Sequence, residues 1–266
     1  MADLTPTILV FDSGLGGLTV FREIAAARPD ARFVYVADDA FFPYGAHEQA
    51  ALVARVVPLM GELIAAHKPD LAVIACNTAS VQALAALRET YKTPFVGTVP
   101  AIKPACAQSR TKRITVLGTK ATVALEYTKA LIREFAQGCA VDLVGAGNLA
   151  SLAEGELDGT PAPDAAILAE IAPCFVEKEG ARTDTVVLAC THYPLLLDRM
   201  RKLAPWPVDW LDPAPAIARR VVDLLGPPAT GNRSAPARFN FTSGRAPAPA
   251  LARALSEYGL VATENA

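Results

Sequence analysis

Apolar residues in this chain gather into short runs that stop abruptly at small polar groups. Residues 7–11 (TILVF) end at Asp12-Ser13-Gly14-Leu15-Gly16-Gly17, residues 33–37 at Asp38-Asp39, and residues 71–75 at Cys76-Asn77-Thr78. Continuous apolar runs closed by turn formers predict strands buried on both faces of a parallel sheet. Between them the spacing is helical over 18–27, 47–67 and 78–91, with a loop at 40–45 and a further strand at 95–98. The pattern then restarts. Residues 113–117 (RITVL) run into Gly118-Thr119-Lys120, followed by a helix at 122–137, a strand at 141–144, a helix at 165–178 and a strand at 185–189 that meets Cys190. A late strand at 209–213, a helix at 214–225, a Pro/Gly-rich loop at 226–236, an edge strand at 238–242 and a helix at 249–258 complete the reading. Alternating strands and helices predict an α/β fold with doubly wound, mostly parallel sheets.

The restart has the character of an internal repeat. The run 8–11 before Asp12 matches 114–117 before Gly118, and Val73 to Cys76 matches Val187 to Cys190. Two lobes of one topology follow, each with a cysteine at a strand end. Open parallel sheets bind ligands beyond the carboxyl ends of their strands. Asp12, Asp38, Cys76, Thr119, Cys190 and Asp212 are all expected there.

Composition narrows the partners. The chain has 266 residues, 52% apolar and 20% charged, with a net charge of −2 and no lysine- or arginine-rich run. That balance predicts a folded core and argues against nucleic acid. The start Met1-Ala2-Asp3-Leu4-Thr5-Pro6 lacks the features of a secretory signal, and no apolar run reaches the roughly 20 residues of a membrane span. A cytoplasmic protein without a membrane partner is expected. Five cysteines, no Cys-x-x-Cys pair and that compartment disfavour disulfides and structural zinc.

Two thiols facing one cleft allow three chemistries: a redox disulfide, nucleophilic attack by one of them, or proton transfer at a carbon from opposite faces. A thiol of pKa about 8.5 can work in both protonation states near neutrality. Asn77, Thr78, Thr191 and His192 open helices or turns after the cysteines, where backbone N–H groups can grip a carboxylate. Cys106, Cys139 and Cys174 lack polar neighbours and read as packing or surface residues. The glycine loop after Asp12 lacks a P-loop lysine, and position 19 is Thr19 where a dinucleotide fingerprint wants glycine. A tight turn bringing Asp12 and Ser13 to a cleft fits better. His47 and His67 read as surface or capping residues on a helix, and His192 as functional.

The blocks Asp12-Ser13-Gly14-Leu15-Gly16-Gly17-Leu18, Pro43-Tyr44-Gly45, Cys76-Asn77-Thr78-Ala79, Gly118-Thr119, Cys190-Thr191-His192-Tyr193-Pro194-Leu195 and Asp212-Pro213 resemble the glutamate racemases, as does the tail Phe241-Thr242-Ser243-Gly244. The resemblance implies two flavodoxin-like lobes, residues 1–98 with 210–266 and residues 99–209, with the active site between them. It implies racemisation of glutamate without pyridoxal phosphate, metal or nucleotide. Cys76 would take the α-proton from D-glutamate and Cys190 from L-glutamate, assisted by Asp12 and His192 respectively. Ser13, Pro43, Tyr44, Gly45, Asn77, Thr78, Thr119, Thr122 and Thr191 match pocket positions, and Glu154 matches a glutamate near the second cysteine. A homodimer supplying D-glutamate for peptidoglycan is the implied setting. Residues 145–151 depart from the family pattern, and Ala189 replaces its usual glycine before the second cysteine.

Overall fold

The computed structural model describes residues 5–136, 138–229 and 236–263. Residues 1–4, Gln137 and 264–266 lie outside them, as does the 230–235 part of the loop expected at 226–236. In chain order the elements are β1 (Thr7–Asp12), α1 (Leu18–Ala27), β2 (Arg32–Ala37), α2 (Gln49–His67), β3 (Leu71–Ile74), α3 (Asn77–Thr90), β4 (Phe95–Gly97) and α4 (Ile102–Gln108). There follow β5 (Arg113–Thr119), α5 (Lys120–Ala124), α6 (Glu126–Phe135), β6 (Ala140–Ala146), α7 (Leu149–Leu157), α8 (Asp164–Ile171), β7 (Glu177–Lys178), β8 (Ala181–Arg182) and β9 (Thr185–Ala189). The chain continues through α9 (Leu197–Leu203), β10 (Asp209–Leu211), α10 (Ala214–Leu225), β11 (Ala237–Phe241), α11 (Pro249–Glu257) and β12 (Leu260–Ala262).

Two parallel sheets result, ordered β12-β11-β2-β1-β3-β4 and β10-β9-β5-β6, beside a small β7-β8 hairpin. The second sheet reads β6-β5-β9-β10 from its other edge. That is the order β2-β1-β3-β4 of the first, so the repeat seen in sequence is a repeat of strand order. β1 and β3 are buried on both faces, between a core of Ile8, Val10, Leu18, Phe21, Ile24 and Val73 and another of Leu9, Phe11, Leu52, Val56, Met60 and Ile74. Burial of such side chains contributes about 1.5–3 kcal/mol each. The chain passes to the second sheet after β4 and returns after β10. β10 pairs with β9, so a boundary at 209/210 falls inside a strand of the second sheet.

Several expectations need correction. β11 is no edge strand: it lies between β2 and β12. The helix expected at 122–137 breaks at Leu125, whose backbone is extended, into α5 and α6. The helix expected at 165–178 ends at Ile171, because Pro173 sits in the 3₁₀ turn that follows and cannot donate within a helix. Helices α4, α7 and α9 and strands β7, β8 and β12 escaped the pattern; they are short, and Pro104 and Gly155 weaken the signals of α4 and α7. His47 precedes α2, with its ring stacked on Phe41 at 3.8 Å. α2 has 19 residues and a mean hydropathy of 1.5, long and apolar enough to cross a membrane by those measures. Here it lies on the sheet, burying Leu52, Val56 and Met60 and pairing Arg55 with Asp38.

Candidate active site

In each sheet the strand order reverses at one place, between β1 and β3 and between β5 and β9. A crevice forms at such a switch point. There the ends of the two sheets share a narrow cleft of about 30 Å³, lined by Ser13, Pro43, Tyr44, Gly45, Cys76, Asn77, Thr78, Thr119, Cys190, Thr191 and His192. Phe42 and Ala150 also line it. Neither carries a chemical signal in sequence, although Phe42 adjoins the Pro43-Tyr44-Gly45 block.

On the first side, Asp12 closes β1 and is fully buried beneath the cleft. Its Oδ2 accepts from the Gly17 N–H at 2.9 Å, and Ser13 Oγ reaches Oδ1 at 3.5 Å. Cys76 stands just before α3, with its thiol 3.6 Å from Ser13 Oγ. Burial, then the Asp12 carboxyl, push the Cys76 thiol well up, toward the neutral form. Burial also raises Asp12, against the opposing pull of His192 and the Gly17 and Ser13 N–H groups.

The second side is built differently. Cys190 follows β9, and its Sγ lies 3.7 Å from His192 Nδ1. His192 Nε2 meets Glu154 Oε1 at 2.9 Å. Burial disfavours a charged imidazole, but contacts with Cys190 and Glu154 outweigh it and hold His192 well above its ordinary pKa. Glu154 is held below its own, again against burial, chiefly by His192. An imidazolium donates from both nitrogens, so His192 can serve the sulfur and the carboxylate together.

The glycine loop explains itself across the cleft. Glu154 Oε1 also accepts from the Leu15 N–H at 2.8 Å, and Thr19 Oγ1 donates to the Thr191 carbonyl at 3.1 Å. A Cβ at Gly14 would stand 2.1 Å from Glu154 Oε1, and one at Gly16 would stand 2.4 Å from His192 Nδ1. The absence of side chains lets the second lobe's acid and base approach.

Around the thiols are hydrogen-bonding groups that could take an amino acid. Thr119 Oγ1 lies 2.9 Å from Thr122 Oγ1 and 3.4 Å from Thr78 Oγ1; Thr122 stands behind the lining. Asn77 Oδ1 accepts from Thr98 Oγ1, while its buried Nδ2 has no partner among the described residues. Two expected strand-end groups stay out of the cleft. Asp212 accepts from the Ala214 N–H at 2.9 Å and opens α10, and Asp38 is bound to Arg55. Cys174 is core, while Cys139 Sγ touches the Cys106 carbonyl at 3.7 Å, away from the cleft. Among the described residues no cluster of three or more His, Cys, Asp or Glu could hold a metal.

Comparison with known proteins places this geometry. Curated glutamate racemases of Brucella anthropi (59% identical, 85% of this chain and 82% of that protein) and Brucella canis (54%, 95% and 92%) are similar along most of their length. The crystal structure of Escherichia coli glutamate racemase with L-glutamate and the activator UDP-MurNAc-ala superposes with a TM-score of 0.88 at 38% identity, over 97% of each chain. The profile of the Asp/Glu/Hydantoin racemase family matches residues 13–221, and the chain belongs to that family.

Proposed function

We propose that the protein interconverts L- and D-glutamate by proton transfer at Cα between Cys76 and Cys190. The observation that carries this reading is two free thiols in one cleft, each at a repeated strand end and each with an ionisable group near it, Asp12 for Cys76 and His192 for Cys190. The Cys190 thiolate, facing the His192 imidazolium, takes the α-proton of L-glutamate. The neutral Cys76 thiol then gives its proton to the opposite face of the carbanion, with Asp12 close behind it. The reverse reaction exchanges the two roles. N–H groups at Asn77, Thr78 and Thr191 and the free Asn77 amide hold the carboxylates, and the hydroxyls of Ser13, Thr119 and Thr122 with Tyr44, Pro43 and Gly45 shape the rest. Such positioned acid/base groups contribute about 10²–10⁴-fold each.

The reading needs no cofactor, and it divides the chain into two lobes as expected, with the return crossing moved from 209/210 to after Leu211, the end of β10. A cytoplasmic homodimer feeding D-glutamate to peptidoglycan belongs to it. The test is proton NMR of L-glutamate with the purified protein in D₂O, with chiral analysis. Loss of the α-proton signal together with appearance of D-glutamate supports it. No exchange on glutamate, with exchange on another amino acid from a panel, replaces the substrate; no exchange on any replaces the reaction.

A further inference from the structure

Asp38 directly follows β2 and is fully buried, yet it does not line the cleft. Three segments converge on its carboxylate. Arg55 of α2 donates from Nε to Oδ2 at 3.0 Å and from Nη2 to Oδ1 at 2.6 Å. Tyr44, in the loop that walls the cleft, donates to Oδ2 at 2.7 Å. Thr242, in the turn after β11, donates to Oδ1 at 2.6 Å.

The next residue repeats the pattern. Asp39 accepts from the Ser243 N–H at 3.0 Å, from Ser243 Oγ at 2.6 Å and from Arg245 Nε at 2.8 Å, and the Arg245 guanidinium lies 3.8 Å over the Phe241 ring. The ladder sets this register, since the Thr242 N–H donates to the Ala37 carbonyl at 3.0 Å. From Asp39 the chain turns directly into the cleft wall. Tyr44 is buried there and Gly45 faces Thr119 across the cleft, an added Cβ standing 3.4 Å from the Thr119 Cβ.

Charge compensation does not account for Thr242. Arg55 already neutralises Asp38 through two parallel bonds, the strong bidentate arrangement of a guanidinium on a carboxylate. What the hydroxyl adds is direction: with Arg55 on one edge and Thr242 on Oδ1, the remaining lone pair of Oδ2 has one place for the Tyr44 hydroxyl.

We propose that the turn at 242–245 is a positioning element of the active site: through Asp38 and Asp39 it fixes Tyr44 and the loop at 42–45 against the bound amino acid, and so sets substrate affinity. Thr242 and Asp38 are positioning residues; Tyr44 is the group that meets the ligand. The inference rests on the glutamate reading above.

The test is Thr242→Val, which keeps the shape and removes the donor, against Thr242→Ser, which keeps the donor. Loss of a hydrogen bond to a charged group, partly transmitted, predicts a rise of about fivefold in KM and in the calorimetric Kd for L-glutamate. kcat stays near wild type, the thermal midpoint falls by no more than a few degrees, and Thr242→Ser restores affinity. In a double-mutant cycle, Thr242→Val adds little to Tyr44→Phe, because both act through one bond network. Wild-type affinity in Thr242→Val, or effects that multiply with Tyr44→Phe, would overturn the proposal. A wild-type protein that neither binds nor turns over glutamate would sink the glutamate reading instead.

Discussion

The two thiols sit on equivalent strands of equivalent sheets, but their surroundings differ. Behind Cys76, burial and then the Asp12 carboxyl favour the protonated sulfur, against the opposing pull of the Ser13 hydroxyl. Beside Cys190 stand an imidazole and a carboxylate, His192 and Glu154, which together favour a positive neighbour. The scaffold is repeated and the chemistry is not. On the proposed mechanism the two walls then meet the proton in different surroundings, one beside Asp12 and the other beside His192. Enantiomers have equal free energies, so kcat/KM must be identical in the two directions whatever the asymmetry. The difference between the walls can therefore show only in kcat and KM separately, in exchange and in isotope effects.

The severest way to break the comparison is to remove one sulfur. Cys76→Ala and Cys190→Ala each should lower racemisation about 10⁴-fold or more, the upper end for a positioned acid/base group. In D₂O, Cys76→Ala should exchange the α-proton of L-glutamate alone and Cys190→Ala that of D-glutamate alone, read by NMR. Exchange of both enantiomers by either variant would sink the two-sided assignment.

Next comes the close approach of the lobes. Gly16→Ala puts a carbon in steric clash with the His192 ring at Nδ1. A misplacement of that order costs about 10²-fold in kcat. Circular dichroism should show the fold unchanged; undiminished turnover would mean that the lobes do not close as described.

A comparable loss is expected when the partners are neutralised, and this sharpens the comparison. His192→Asn and Asp12→Asn should each cost about 10²-fold. The primary isotope effect should grow with α-deuterated L-glutamate in His192→Asn and with α-deuterated D-glutamate in Asp12→Asn. Equal effects in both variants would erase the distinction between the walls.

The smallest effect is on stability. Glu154 is depressed in the folded state, so its contribution is present above its unfolded value near 4.5 and is lost as pH falls through the lower folded value. His192 is raised, so its contribution is complete below its unfolded value near 6.5 and fades as pH rises through the folded one. Urea unfolding should therefore separate wild type from Glu154→Gln by about 1 kcal/mol between those limits. The gap should narrow on either side, and a gap independent of pH would show that the pair is not charged in the folded protein.

What the sequence disclosed follows from what is local. Cys76 and Cys190 were legible because an apolar run into Ala-Cys occurs twice, and Asp12 because it ends the first run. Three-dimensional contacts were not legible: nothing near Leu15 in sequence announces that its N–H meets Glu154 139 residues away. Asp38 and Asp212 illustrate the limit, since a strand-end position places a carboxylate near a crevice without aiming it there. Helix ends failed where one residue outweighed the pattern, as at Leu125 and Pro173. β12 was missed because three residues, two of them exposed, carry almost no periodic signal.

The bond from the Leu15 N–H to Glu154 joins one lobe to the other through the same oxygen that orients His192. Any parting of the lobes wide enough to release an amino acid pulls that oxygen away from one of its two partners, and separates Thr19 from the Thr191 carbonyl as well. On the proposed mechanism the Cys190 side is aligned only while the cleft is shut. In that mechanism, letting the product go and disarming the Cys190 side are then a single motion, so that side is not left assembled in front of bulk water between turnovers.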